Sequence, residues 1–338
     1  MPLWTAAVVA VAVACALPAR ASAHAGVTAP AATSFIARLD SVPLGLEAKV
    51  VDGDQRLWLR AQPNVTAVVL GFQGEPYLRF TAGGIAANTR SPTYYLNRSR
   101  PLVPPHVGAH AAPIWHLVSH ARSYSWHEDR LHALAATALA PGSSYVGRWA
   151  VPVLVNGKRT QIRGGLWHAD PPSLIWFWPI VVLLASLPAV IRLRRSRLDA
   201  TVMTVLALAT LGASTTARLG RELYGRPTVS GWQLAVVAIT CLFAVVMAWM
   251  YVHPEWRWIG AMLIAVTGMY QGVVVVATLL HGFVLGVLPP VAERITTITA
   301  LAGGAGLLAL LLTSAGVSSE EEERQTAASR TPSLDSPS

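Results

Sequence analysis

The sequence predicts a secreted all-β sandwich followed by an all-α transmembrane domain. Three observations carry that prediction. Of the 338 residues, 53% are hydrophobic and only 13% are charged, about half the charged share of a soluble globular protein. The long apolar runs are confined to 1–23 and 174–314, while 24–173 has the composition of an ordinary folded domain. Within that middle region, apolar residues alternate with polar ones between Gly, Asn and Asp turn signals.

Residues 1–23 read as a signal peptide. An apolar stretch too short for a comfortable membrane span is followed by Pro18 and by Ala21-Ser22-Ala23, an A-x-A cleavage site. No Lys or Arg precedes the stretch, which leaves either the terminal amine to supply the positive charge or a start codon placed elsewhere. Cleavage after Ala23 would make His24 the first residue of the mature chain.

Residues 24–173 are expected to form the extracytoplasmic domain. Leu46 to Val51 and Arg56 to Leu59 flank Asp52-Gly53-Asp54, a hairpin signal. Val65 to Phe72 and Tyr77 to Phe80 read as further strands. Arg148 to Val155 and Thr160 to Trp167 flank Asn156-Gly157 as a second hairpin. Short strands at this spacing predict a sandwich of immunoglobulin-like type. An insert at 101–140 is broken by Pro101, Pro104, Pro105 and Pro113 and is rich in histidine.

After residue 173, apolar runs cover about 174–191, 200–217, 231–252, 258–280 and 294–314. Each can cross the roughly 30 Å hydrocarbon core. Five helices are expected over 174–315, or four if 200–217 packs obliquely. The lipid bilayer is therefore the first expected partner. A secreted N-terminal domain sends the first span inward, and Arg192, Arg194, Arg195 and Arg197 follow it, as the positive-inside rule requires. The loop carrying Arg218, Arg221 and Arg226 would lie outside, against that rule. Five spans put the C-terminus in the cytoplasm, and 316–338 is polar enough to predict disorder.

The chemistry is concentrated in histidine. Eight of the ten histidines fall in 24–173, and six of them lie between His106 and His132. Imidazole suits copper, zinc and nickel. The region holds no cysteine and no methionine, which excludes disulfides, cysteine nucleophiles and soft sulfur ligation there and leaves Cu(II), Zn(II) or a similar nitrogen–oxygen site. Trp126-His127-Glu128-Asp129-Arg130-Leu131-His132 offers two imidazoles and two carboxylates in six residues. The other reading of that stretch is a polar loop with an Arg130 salt bridge. His116 and His120 share a face if 114–121 is helical. A terminal His24 would add its α-amine and imidazole to one metal.

The net charge of +9 is almost all arginine, without the aromatic-interleaved basic patch of a nucleic-acid binder. No nucleophile elbow, phosphate loop, dinucleotide fingerprint or His-Glu-x-x-His is present, so an enzyme is not expected; a histidine-brace copper oxidase is the one enzymatic reading considered.

The Ala-Ser-Ala–His24-Ala25 junction ahead of a cysteine-free β-domain resembles the CopC-type periplasmic copper carriers, and its fusion to a multi-span domain resembles CopC–CopD fusions. That resemblance implies a Cu(II) site built on an N-terminal histidine with a downstream acidic residue and histidine. The carriers' Asp-x-His near the end of the domain is missing here, which leaves His127 or His132 to pair with His24. Gly74-Glu75-Pro76-Tyr77-Leu78-Arg79, Asn88-Thr89-Arg90-Ser91-Pro92 and Trp126-His127…Arg130…His132 resemble a group of actinobacterial membrane proteins of unassigned function. These readings imply a membrane-anchored copper-handling protein with an envelope metal-trafficking partner. The alternative is a receptor-like or scaffold protein whose β-domain binds another envelope protein.

Overall fold

The computed structural model describes residues 30–97, 102–137, 139, 143–182, 185–186, 196–225 and 227–329. The signal-peptide segment and His24 lie outside the described residues. The chain forms an N-terminal region of antiparallel sheets followed by helices.

A seven-stranded sheet is built from β2 (Phe35–Ser41), β11 (Lys158–His168), β10 (Tyr145–Val155), β5 (Ala67–Leu70), β6 (Pro76–Thr81), β7 (Gly84–Asn88) and β8 (Trp115–Ser119), in that order. A three-stranded sheet is ordered β3 (Leu46–Val51), β4 (Arg56–Ala61), β9 (Ser123–His127). Their inner faces share one core: Leu57, Leu59 and Trp126 meet Val69, Phe80, Val151, Ile162 and Leu166. Each large aliphatic side chain buried there contributes about 1.5–3 kcal/mol.

Both predicted hairpins are present. Asp52 and Gly53 have φ of 60° and 80°, and Asn156 and Gly157 have 49° and 80°, the left-handed values that Asn, Asp and Gly reach at least cost. Segment 114–121 is not helical. It is strand β8 followed by a turn into β9, because Trp115, His116, Leu117 and Ser119 pair along β7. A five-residue helix α1 (Pro92–Leu96) precedes it.

The helical part comprises α2 (Ser196–Leu223), α3 (Gly231–Val252), α4 (Arg257–Val274) and α5 (Pro290–Ser329). Three stretches are long and apolar enough to cross a membrane: Ala200–Leu223, Gly231–Val252 and Pro290–Leu312. The run read as a short span at 200–217 is part of the 28-residue α2. Helix α4 has 18 residues and gives way to a 3₁₀ turn at Val276–Leu279. Helix α5 continues to Ser329, through part of the tail that composition reads as disordered; glutamate, glutamine and alanine extend a helix already nucleated by the apolar span.

The two parts meet at a seam. Strand β1 (Ala32–Thr33) pairs antiparallel with β12 (Phe283–Val284), which lies between α4 and α5. The Leu285 N–H donates to the Ala31 carbonyl at 2.8 Å. Ala31 packs with Ala217 of α2 and Val275. Ser34 Oγ lies 2.9 Å from His281 Nδ1. At the other end of β2, a Cβ on Gly164 would fall 2.1 Å from the Arg38 carbonyl oxygen and 2.2 Å from the Trp149 ring.

Gly164→Ala therefore overpacks the β2–β11–β10 junction. It is expected to cost about 3 kcal/mol, read as a lowered unfolding midpoint of tryptophan fluorescence in detergent, whereas Gly157→Ala meets open space and costs only the left-handed backbone strain at φ 80°, about 1–2 kcal/mol.

Candidate functional site

The Trp126–His132 stretch alternates as a strand does and then turns. Trp126 points into the core, His127 outward, Glu128 inward and Asp129 outward. A 3₁₀ turn at Asp129–Leu131 follows, with Leu131 buried and His132 exposed.

Glu128 is fully buried and fully engaged. Trp126 Nε1 donates to its Oε2 at 2.9 Å, and Arg130 donates through Nε to Oε1 at 2.6 Å and through Nη2 to Oε2 at 2.8 Å. The remaining guanidinium nitrogen donates to the Leu70 carbonyl of β5 at 3.0 Å, and the guanidinium lies over Phe72. This bidentate pair ties the end of β9 to the opposite sheet. The expectation of Glu128 as a metal ligand is corrected: its lone pairs are spent on Arg130 and Trp126, out of reach of solvent.

The two imidazoles stay outward, each held by a carboxylate. His127 Nε2 lies 2.7 Å from Asp129 Oδ1, with both side chains about half exposed. His132 Nδ1 is hydrogen-bonded to Asp54 Oδ2. Asp54 is 2% exposed while the His132 side chain is 55% exposed. Asp54 comes from the β3–β4 turn, where the Glu128 N–H donates to the Gln55 carbonyl and His127 lies opposite Arg56. Burial pushes the Asp54 carboxyl up, opposed by the His132 hydrogen bond and by the charges of His132 and His127. The Asp129 hydrogen bond pushes His127 up, against its partial burial. Phe35 packs edge-on against His132 and at a tilt against His168.

Each imidazole thus has one nitrogen oriented by a carboxylate and the other left open, the manner in which ligating histidines are held. Asp129 stands beside His127 as its orienting partner, and Asp54 does the same for His132. Among the described residues, no three His, Cys, Asp or Glu side chains are grouped to hold a metal ion. His116 and His120 do not join the other two. They are four residues apart on an extended segment, about 13 Å, and β9 runs between His120 and His127. The pairing of Arg56 with His127 and of Arg60 with Ser123 puts the two groups at opposite ends of the three-stranded sheet.

The Gly74–Arg79 and Asn88–Pro92 motifs pack against one another. Glu75 is buried and does not pair with Arg79; its Oε1 accepts from Ser91 Oγ at 2.7 Å and Thr93 Oγ1 at 2.6 Å, and its Oε2 from the Gln73 N–H at 3.0 Å. Asn88 donates to the Pro76 carbonyl at 2.8 Å. Burial pushes the Glu75 carboxyl up, but its hydrogen bonds outweigh that and hold it low. The guanidinium of Arg79 stacks instead over Trp115 at 4.5 Å. Every acceptor in this network is satisfied internally, which makes it a structural knot.

Asp54 is the site residue that local sequence reading misses. It is 78 positions from His132, and within its own segment it serves only as a turn residue. No family model, curated protein or solved structure matches this chain.

Glu128→Ala would leave the Arg130 guanidinium charged and unpaired and is expected to destabilise the domain by about 3–5 kcal/mol, measured by chemical denaturation. Asp129→Asn should lower the His127 pKa toward about 6.5, followed by imidazole proton shifts. Because the folded value is raised, the pair's stabilisation is complete below about pH 6.5 and fades as pH rises through the folded pKa. An unchanged titration would refute the pairing.

Proposed function

We propose that the chain is an integral membrane protein whose extracytoplasmic β-domain, of the immunoglobulin-like CopC type, handles Cu(II) in acquisition, delivery or tolerance. The observation that carries this reading is the pair of outward imidazoles, His127 and His132, each oriented by a carboxylate and each with one open nitrogen. Asp54 interacts electrostatically with both. Nitrogen donors with nearby carboxylates and no sulfur suit Cu(II), and Zn(II) next.

A third donor is expected from His24. It lies six positions before Pro30, so an extended chain spans at most about 20 Å between them. Strand β1 then runs beside the β3–β4 turn: a Cβ on Gly53 would sit 2.8 Å from Thr33 Cγ2. The α-amine and imidazole of His24 with His132 or His127 would complete a nitrogen set. When bound, the metal supplies a tightly held divalent cation; the chain's own residues orient the donors and keep the carboxylates as partners.

The site's position supports a role in handover. Ser34 is hydrogen-bonded to His281, and a Cβ on Gly53 would lie 3.4 Å from Leu285 Cδ1, so the hairpin that carries Asp54 stands next to the helical bundle. In this reading the β-domain lies outside, residues 1–23 are removed, the C-terminus is cytoplasmic, and an envelope metal-trafficking protein is the partner. A scaffold reading draws on Leu102, Ile114 and Leu117, which are 80%, 49% and 46% exposed.

The test is Cu(II) titration of the full chain in detergent, with a native His24 terminus verified by mass spectrometry, followed by d–d absorbance and electron spin resonance. Affinity tighter than micromolar is expected. Asp54→Asn should weaken it by about 10–100-fold, and His132→Ala at least as much. One extra residue ahead of His24 should weaken it too. Binding no tighter than micromolar would remove the copper reading and leave the scaffold one.

A further inference from the structure

Strand β2 leaves the seven-stranded sheet before its neighbour does. Its last paired residue is Ser41, opposite Arg163, and the chain then turns away through Val42 and Pro43. Strand β11 continues on to Lys158. The place that a longer β2 would fill is a cleft of about 560 Å³, walled by Ser41–Pro43 on one side and by Arg159, Thr160, Gln161 and Arg163 on the other.

The cleft is cationic. Arg159, Gln161 and Arg163 are exposed, while Ile162 between them is fully buried. Arg163 Nε donates to Gln161 Oε1 at 3.1 Å, which fixes one edge of the guanidinium and leaves its Nη groups free to turn to the cleft. No carboxylate lines it. Among the described residues, none of the ion pairs involves Arg159 or Arg163, and the adjacent Asp40 pairs with neither. The surrounding field has the same sign. Residues 24–173 carry 14 Lys and Arg against 8 Asp and Glu, a net +6, and three of those acids, Asp54, Glu75 and Glu128, are buried.

Two arginines four residues apart on one strand have Cα atoms about 13 Å apart, so their side chains can close on a ligand between them. A guanidinium fork matches phosphate oxygens in pairs. Beyond Ser41 the edge of β11 has no neighbouring strand, which leaves backbone donors beside the arginines. Thr160 and Ser41 add hydroxyls.

We propose that this cleft binds a ligand carrying two adjacent phosphate groups. The chemistry is shared by a free diphosphate and by a phosphodiester polymer of the cell envelope. The site is separate from His127 and His132, which lie toward the seam with the bundle, whereas the cleft lies at the Ser41 end of β2.

The test is calorimetric titration of the full chain in detergent with two probes, inorganic pyrophosphate and a synthetic glycerol-phosphate oligomer. At least one should bind with one site per chain. Arg159→Gln with Arg163→Gln should weaken it by about tenfold or more, and Arg163→Lys should weaken it in part, because an ammonium lacks the fork. Arg148→Gln, exposed on the same sheet but outside the cleft, should leave it within about twofold. Tighter binding of the oligomer assigns the polymer, and tighter binding of pyrophosphate the soluble ligand. The proposal is overturned if neither probe binds, if the double variant binds as before, or if Arg148→Gln weakens binding as much as the cleft variants. Binding of a glutamate-rich peptide in place of both probes would also overturn it.

Discussion

Backbone polar groups at the end of an apolar bundle must find partners, and that requirement organises this molecule. Helix α4 stops at Val274, and the chain to Pro290 holds only a 3₁₀ turn and the two-residue β12. Unpaired amides and carbonyls there would each cost several kcal/mol. Arg294 of α5 donates to the carbonyls of Thr278, His281 and Gly282, and its guanidinium lies over Trp176. The 3₁₀ turn bonds locally and the Leu288 N–H donates to Glu293 Oε1, while further partners come from the other part of the chain, through the Ala31 carbonyl and the β1–β12 pair. The sheets and helices are therefore not independent modules joined by a tether. The bundle's irregular end is closed by the first strand of the β-domain.

Within the sheets, two buried carboxylates do related jobs by different means. Glu128 is neutralised by one bidentate arginine, which joins two sheets. Glu75 has no cation and relies on hydroxyl and amide donors from the α1 entry. Burying both leaves the domain's described surface with more exposed Arg and Lys than Asp and Glu.

Much of this architecture was legible in the sequence because it is local. Asp52-Gly53 and Asn156-Gly157 announce their hairpins through backbone chemistry alone, and apolar run length finds the three membrane-competent helices, although it also counts 174–191 and 258–280 as spans, the second of which is an 18-residue helix and a 3₁₀ turn. Strand β7 was not legible, since Gly84 to Asn88 is buried throughout and shows no alternation. Strand β8 hid behind prolines and a histidine spacing that also fits a helix. The His127 and His132 motif could be picked out by its density of donors. Which carboxylate each imidazole would hold could not, because Asp54 arrives through tertiary packing and Glu128 is claimed by a guanidinium two residues away. The arginine cleft depends on where β2 departs, a register property invisible to composition.

The tightness around Gly53 has a mechanical consequence. A methyl group added at Gly53 would press on Thr33 Cγ2 at 2.8 Å and reach ordinary contact with Leu285 Cδ1 at 3.4 Å. The next residue is Asp54, the anchor of His132. A tilt of the helices that moves Leu285 must either open the β1–β12 pair or drag the turn with it, since packed contacts transmit displacement instead of absorbing it. The seam thus sets the helices, the hairpin turn and, through Asp54, the His132 imidazole within consecutive neighbours of one another.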